Sequence, residues 1–208
     1  IDVFLRPSAS HVSISNGLAS FTLGDKVPTD IDALTLGGNG ANVSVGLSRL
    51  MHSVAFYSYL GTDALSTEIE EIAKKEGINL IADRSEQERA PLSLIFDLTE
   101  DRIIFSHHQK KNHTFSYAQG QNLDMIYLTS IGEEWSQAYA SVLSFAKTEN
   151  VPIALSPGSS QLDSINPIFI ETLSCSKLLF LNKEEGEKIV KYAGKPHDTI
   201  INLLLSLL

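Results

Sequence analysis

The chain has 208 residues, of which 43% are hydrophobic and 20% charged, and a formal net charge of −9. That length suits one α/β domain with a sizeable core, while the acidic balance argues against nucleic acid or an anionic membrane surface as the main partner. A single cysteine, Cys175, leaves no intrachain disulfide and fits a reducing compartment. Its position at a helix end leading into a strand predicts a small buried apolar side chain. Lys110-Lys111 reads as a solvated loop. The longest apolar run, Ile200 to Leu208, is too short to cross a bilayer, so no membrane segment is expected and cytoplasm is the expected location.

In chain order, Asp2 to Leu5 reads as the end of a strand. His11 to Ile14 and Leu18 to Leu23 alternate around Asn16-Gly17, a strong hairpin signal. Ile31 to Leu36 is a further strand, running into Gly37-Gly38-Asn39-Gly40-Ala41-Asn42. Three glycines remove side chains there, so backbone N–H groups can approach a polar ligand closely. The helix that follows places Asn39 and Asn42 at its positive end, and the spacing of Val43, Leu47 and Leu50 predicts the face that meets the core. A strand from Val54 to Leu60, the turn Gly61-Thr62-Asp63 and a helix ending at Gly77 come next. Pro91 to Asp97 and Arg102 to His107 predict a second hairpin across Thr99-Glu100-Asp101. His107 and His108 fall on its returning strand, where alternation puts their rings on opposite faces; they are not a metal site.

Beyond that the pattern becomes regular. Strands at Met125 to Ser130, Val151 to Leu155 and Lys177 to Leu181 alternate with helices at Glu133 to Glu149, Pro167 to Leu173 and Lys183 to Ala193. Trp135, Ala138, Val142, Phe145 and Ala146 line one side of the first helix. Such alternation implies parallel pairing with right-handed crossovers, and no linker marks a second independent domain.

Leu36 to Leu50 resembles the first signature of the ribokinase (PfkB) family of sugar and nucleoside kinases, Gly-Gly-x-x-Ala-Asn followed by an apolar helix. Gly61-Thr62-Asp63 is similar to the family's Gly-x-Asp turn, and Leu181-Asn182-Lys183-Glu184-Glu185 to its Asn-x-x-Glu motif. The resemblance spans nearly the whole chain, with the motifs in order. It implies a three-layer ribokinase-like α/β fold, with a central, mostly parallel sheet and a small β-sheet lid whose strands fall within 11–36 and 91–107. It implies a single kinase domain over 1–208, incomplete at both ends. The activity implied is ATP-dependent transfer of the γ-phosphoryl group to a sugar hydroxyl, with ATP and Mg²⁺ as cofactors. A homodimer through the lid strands is compatible with it.

The resemblance also assigns candidate residues. Asp2 matches an early aspartate that holds two acceptor hydroxyls, a task suited to a carboxylate; read alone, it is a turn or cap residue. Gly37, Gly38, Asn39 and Asn42 match the substrate turn, although a tight strand-to-helix connection with Asn42 bonding locally would read alike. Asn182 and Glu185 match a pair near the triphosphate, the glutamate holding Mg²⁺ through bound water. The same two residues spell a capping box, and both readings can hold at once. Ser130 and Ser156 stand at strand ends where relatives carry acidic or amide side chains, which leaves the acceptor's identity open between ribose, fructose, a keto-deoxy acid and a nucleoside.

One expected segment does not occur. The family's second signature, roughly Asp-Thr-x-Gly-Ala-Gly-Asp, carries the catalytic base and an anion hole, and no stretch of these 208 residues matches it. Two other readings follow. A dinucleotide site at Gly38-Asn39-Gly40 needs a small residue where Val43 stands, although Asp63 lies near the distance of a ribose contact. A non-catalytic sugar- or nucleoside-binding relative, or a nucleoside kinase, is the alternative to a sugar kinase.

Overall fold

The computed structural model describes residues 1–87, 89–98, 101–107, 115 and 122–192. By its contacts the chain divides into two compact units, Ile1–Gln109 and Lys110–Leu208. Thr99 and Glu100 of the predicted turn, His108, Lys110-Lys111, Ala193 and the apolar tail from Ile200 lie outside the described residues.

In the first unit, β1 (Asp2–Pro7) is followed by a 3-10 turn at Ala9–His11, so His11 is not in a strand as its alternation suggested. The Asn16-Gly17 hairpin forms as predicted but is short, joining β2 (Ser13–Ser15) to β3 (Leu18–Ser20). Asn16 and Gly17 have φ of 53° and 73°, the left-handed pair that a two-residue turn of this hand requires. Next come β4 (Thr29–Thr35), α1 (Asn39–Arg49), β5 (Ala55–Leu60), α2 (Ala64–Lys75) and β6 (Asn79–Arg84). β7 (Leu92–Asp97) and β8 (Arg102–His107) complete the unit.

Four of these strands form one sheet in the order β4-β1-β7-β8. β1 pairs antiparallel with β4 and parallel with β7, and β7 pairs antiparallel with β8. β5 and β6 make a separate parallel pair joined through α2. β6 has no counterpart among the expected strands, because Asn79, Asp83 and Arg84 dilute its apolar run.

α2 stops at a Schellman closure. Gly77 has a φ of +70°, its N–H reaches Lys74 O at 3.1 Å, and Ile78 N–H reaches Ala73 O at 2.9 Å.

The face on which α1 rests differs from expectation. Ala41 and Ser44 are 2% and 6% exposed, whereas Leu47 and Leu50 are 37% and 71% exposed, and Val45 is the valine that packs on the core. Ala41, Ser44, Val45 and Ser48 themselves follow helical i, i+3, i+4, i+7 spacing, so a stripe of small residues faces inward. Serines hid that stripe from a reading based on large apolar side chains. The same side is tied to the end of α2: Ser48 Oγ donates to Glu76 O at 2.6 Å, and Arg49 donates to both Glu76 carboxylate oxygens at 2.6 and 2.8 Å.

In the second unit the order is β9 (Ile126–Thr129), α3 (Ser136–Glu149), β10 (Ile153–Ser156), α4 (Ser159–Asp163), α5 (Pro167–Cys175), β11 (Ser176–Leu179) and α6 (Lys183–Tyr192). The three strands pair in parallel, in the order β11-β10-β9, as the alternation predicted; the short α4 was not expected. The core gathers Leu128, Trp135, Tyr139, Val142, Leu155, Phe169 and Leu173. Trp135 stacks edge-on to Tyr139, with centroids 4.9 Å apart, and its indole N–H reaches Ser164 Oγ at 3.1 Å. Asn166 caps α5 by accepting from Phe169 N–H at 3.0 Å, with Pro167 in the first turn.

Cys175 is exposed, against the expectation of a buried thiol. The buried line of this segment runs through Phe169, Thr172, Leu173 and Ser176, which turns position 175 outward at the last turn of α5.

Candidate functional site

The structure brings together two of the residues predicted to hold an acceptor. Asp2 faces Thr35 across the β1–β4 pairing, and two residues further on the chain reaches Gly37. A Cβ built on Gly37 would land on the Asp2 carboxyl group, meeting its carbon and both oxygens. Glycine at 37 therefore leaves the space in which the carboxylate sits, and any side chain there would have to turn Asp2 away. Gly38 has a φ of +88°, a conformation that side chains rarely adopt, and it swings the chain from strand into α1.

Gly38 occupies the N-cap position of α1 and makes no side-chain cap. Asn42 N–H bonds Gly38 O at 3.0 Å, so the first helical turn closes on the backbone. Asn39 and Asn42 are exposed on that turn. Among the described residues no hydrogen bond engages the Asn42 side chain, so the local bonding that a purely structural connection would use is not made. The result is a half-buried carboxylate beside a helix start whose N-cap residue offers no side-chain acceptor. Chemically, such a place offers an acceptor and donors side by side, which suits hydroxyls.

Asp63, matched to the Gly-x-Asp turn, is a cap. Its Oδ1 accepts from Ser66 N–H at 3.0 Å and from Ser66 Oγ–H at 2.6 Å. Ala90 N–H also reaches both of its carboxylate oxygens at 3.3 Å. Burial alone would push this carboxyl up, but the Ser66 hydroxyl and the backbone N–H groups outweigh it and hold the group below its ordinary value. Asp63 thus fastens the start of α2 to the segment entering β7. The sequence placed Asp63 in a turn, and neither the cap nor the link to Ala90 was read from it.

In the second unit Ser130 follows β9, Ser156 ends β10 and Asn182 follows β11. All three lie at the carboxyl ends of parallel strands, the side on which open α/β sheets take ligands. Asn182 and Glu185 form both halves of the capping box: Asn182 N–H donates to Glu185 Oε2 at 2.9 Å and Glu185 N–H donates to Asn182 Oδ1 at 2.9 Å. The box uses one carboxylate oxygen and fixes the side chain at the head of α6.

Mg²⁺ keeps much of its hydration and needs few protein ligands. Among the described residues no group of three metal-ligating side chains occurs. A lone carboxylate fixed by its cap fits a water-mediated Mg²⁺ contact and does not fit a full protein cage.

Sequence reasoning missed Gln161. It is fully buried, accepts from Gly158 N–H at 3.0 Å and donates to Ile131 O at 2.7 Å, and so ties the loop after β10 to the loop after β9. A Cβ on Gly158 would collide with the Ser130 side chain, so these two loops are in close contact. The buried Tyr139 hydroxyl donates to Thr129 O at 3.1 Å, and burial pushes it well above its ordinary value. A groove of about 430 Å³ lies instead around the starts of β10 and β11, bordered by Lys147, Asn150, Cys175 and Lys177. It is at the opposite strand ends from Ser156 and Asn182.

A match to the pfkB family of carbohydrate kinases covers residues 24–208. The chain belongs to that family. Asp2 precedes the matched region, so its place beside Gly37 rests on the structure alone. No curated protein matches the chain in sequence.

Among solved structures, fructokinase from Xylella fastidiosa with bound ATP superposes with a TM-score of 0.69 at 14% identity, over 98% of this chain and 66% of that one. Ribokinase from Thermotoga maritima gives 0.67 at 20% identity, over 99% of this chain and 65% of that one. Adenosine kinase from Anopheles gambiae, in complex with P1,P4-di(adenosine-5) tetraphosphate, gives 0.62 at 17%, over 81% of this chain and 52% of that one. The fold is therefore ribokinase-like α/β, and the chain spans about two thirds of the length of the fructokinase and ribokinase it resembles. Among the described residues no helix is long and apolar enough to cross a membrane.

Proposed function

We propose that this chain is the acceptor-holding part of an ATP-dependent carbohydrate kinase, one kinase domain whose catalytic segment lies outside these 208 residues. The observation that carries this reading is the Asp2 carboxylate seated against Gly37 at the uncapped start of α1. Asp2 accepts hydrogen bonds from two hydroxyls of the acceptor, while the turn through Gly37, Gly38, Asn39 and Asn42 donates to the same group. Bound Mg-ATP supplies the phosphoryl group, and Asn182 and Glu185 serve its phosphates and the hydrated metal. The acceptor alcohol forms the new P–O bond as the bond to ADP breaks, and its proton passes to a base that this chain does not supply. Positioning and charge neutralisation provide most of the rate in such transfers.

The four-stranded sheet containing β4, β7 and β8 serves as the lid, excluding water from the acceptor. A homodimer through the lid and a cytoplasmic location belong to the same proposal. The apolar residues Ile31 and Phe105, 72% and 59% exposed on the two edge strands, support the former. A second reading is a sugar or nucleoside binder without chemistry, which the Asp2 carboxylate beside the glycine turn would serve equally.

A thermal-shift screen against pentoses, hexoses and nucleosides, each with and without Mg-ATP, separates the two. A ligand that binds only the folded state raises the melting temperature. The proposal expects a shift with one acceptor class in this chain, and ADP release when the chain is joined to the missing segment. A shift with no ADP in that longer protein leaves the binder. No shift with any acceptor overturns both.

A further inference from the structure

Strand register places a row of hydroxyl side chains beside Asp2. Asp2 pairs with Thr35 on β4 and with Ser93 on β7, and Ser93 pairs with Ser106 on β8. Residues opposite one another across a sheet point to the same face, so Thr35, Asp2, Ser93 and Ser106 form one polar row across all four strands. The hydroxyls of Ser93 and Ser106 lie 3.3 Å apart and are hydrogen-bonded. The next row on that face is apolar: Ala33, Phe4, Ile95 and Ile104. A polar row beside an apolar one matches a sugar ring, which carries hydroxyls at its rim and C–H groups on its face.

We infer that Ser93 reads a third hydroxyl of the acceptor, beyond the two held by Asp2, and that Ser106 fixes the Ser93 hydroxyl for that contact. This rests on the acceptor reading of Asp2 given above. Neighbouring strands lie about 4.8 Å apart, so Ser93 is within the span of a monosaccharide held at Asp2. Ser106, about 10 Å away across two strands, is beyond it. A serine hydroxyl carries one donor and two acceptor positions, so the bond to Ser106 leaves capacity for a ligand. Half-buried Ser93 and exposed Ser106 thus have different parts, Ser93 a specificity contact and Ser106 a positioning residue.

The test measures calorimetric binding of D-ribose, D-fructose and adenosine, with their monodeoxy analogues, to the wild-type chain and to Ser93→Ala, Ser93→Thr, Ser106→Ala and Asp2→Asn. In the wild type one analogue, lacking the hydroxyl that Ser93 reads, binds about fivefold to tenfold more weakly than its parent, the worth of one neutral hydrogen bond. That penalty disappears in Ser93→Ala, survives in Ser93→Thr and shrinks in Ser106→Ala, while the penalties for the diol hydroxyls stay.

An unchanged set of penalties in Ser93→Ala, or equal weakening of every ligand by that change, overturns the inference and leaves the Asp2 reading intact. Asp2→Asn that binds all ligands as the wild type does overturns the Asp2 reading instead. A wild type that binds none of the three parents overturns both.

Discussion

Two helix starts in this molecule carry candidate ligand residues, and they are finished in opposite ways. At α6 the capping box is complete, each partner accepting the other's backbone N–H at 2.9 Å. At α1 the N-cap is a glycine with no side chain to offer, and the carboxylate beside the turn belongs to Asp2, on β1. A cap adds about 1 kcal/mol, so leaving α1 without one gives up stability that any Ser, Thr, Asp or Asn at position 38 would supply if its backbone allowed it. The comparison separates a helix start capped by its own side chains from one whose N-cap residue has no side chain and stands beside a carboxylate from another element. On this ground Asp2 and the glycine turn make the stronger candidate, and Glu185 has a structural role whether or not it also serves a metal.

The largest effect that would break this comparison comes from Gly37→Ala. The added methyl group falls on the far end of the Asp2 side chain, which must rotate away at a cost on the order of 0.5–1.5 kcal/mol. The denaturant midpoint should fall, and acceptor binding should be lost because the carboxylate is displaced. Gly46→Ala is the matched control, since a Cβ there meets nothing within 4 Å. In mid-helix it should stabilise by about 0.5–1 kcal/mol. Equal midpoints for the two variants would show that Gly37 is not held to glycine by Asp2.

A smaller effect concerns α2, whose start is capped like that of α6 but by a residue that also reaches another segment. Asparagine caps as well as aspartate, so Asp63→Asn removes the charge alone, and exchanging charge-assisted for neutral hydrogen bonds to Ser66 and Ala90 should cost about 1 kcal/mol at neutral pH. The folded-state carboxyl sits below its ordinary value of 3.8, so the charge contributes fully above that value and its contribution is lost as pH falls through the lower folded-state value. Urea midpoints of wild type and variant should therefore differ at pH 7 and converge in acid. A difference that persisted undiminished at acid pH would assign the effect to shape and not to charge.

Much of this architecture was legible in the sequence because its signals are local. Asn16-Gly17 demanded a tight hairpin turn, Pro167 a helix start, and the strand–helix alternation after residue 125 a parallel sheet. The glycine turn was legible for the same reason. The inward face of α1 was not, since Ala41, Ser44 and Ser48 bury small side chains that carry no hydrophobic signal. Nor was the row through Asp2, Ser93 and Ser106, which depends on β1 pairing with a distant strand, as in the bond from Ile1 to Pro91, 90 residues on. Long-range register is set by tertiary packing, and no motif in either strand announces its partner. Gln161 was hidden likewise: a buried amide is visible only once the two loops it joins are in place.

The smallest effect sharpens the comparison at α6. Glutamine can replace glutamate in a capping box, so Glu185→Gln should leave the thermal midpoint close to wild type, whereas Asn182→Ala should cost about 1 kcal/mol. If Glu185 also holds hydrated Mg²⁺, the variant has lost the charge that attracts the ion while keeping the cap. In a protein carrying this chain together with the Gly-Ala-Gly-Asp segment, it should need more Mg²⁺ for half-maximal phosphoryl transfer, with acceptor affinity unchanged. Magnesium titrations that superimpose on wild type would leave Glu185 as a cap alone. Metal and phosphate would then have to be held by other residues, and the likeness of the Asn-x-x-Glu motif would reflect how a helix begins and not what it binds.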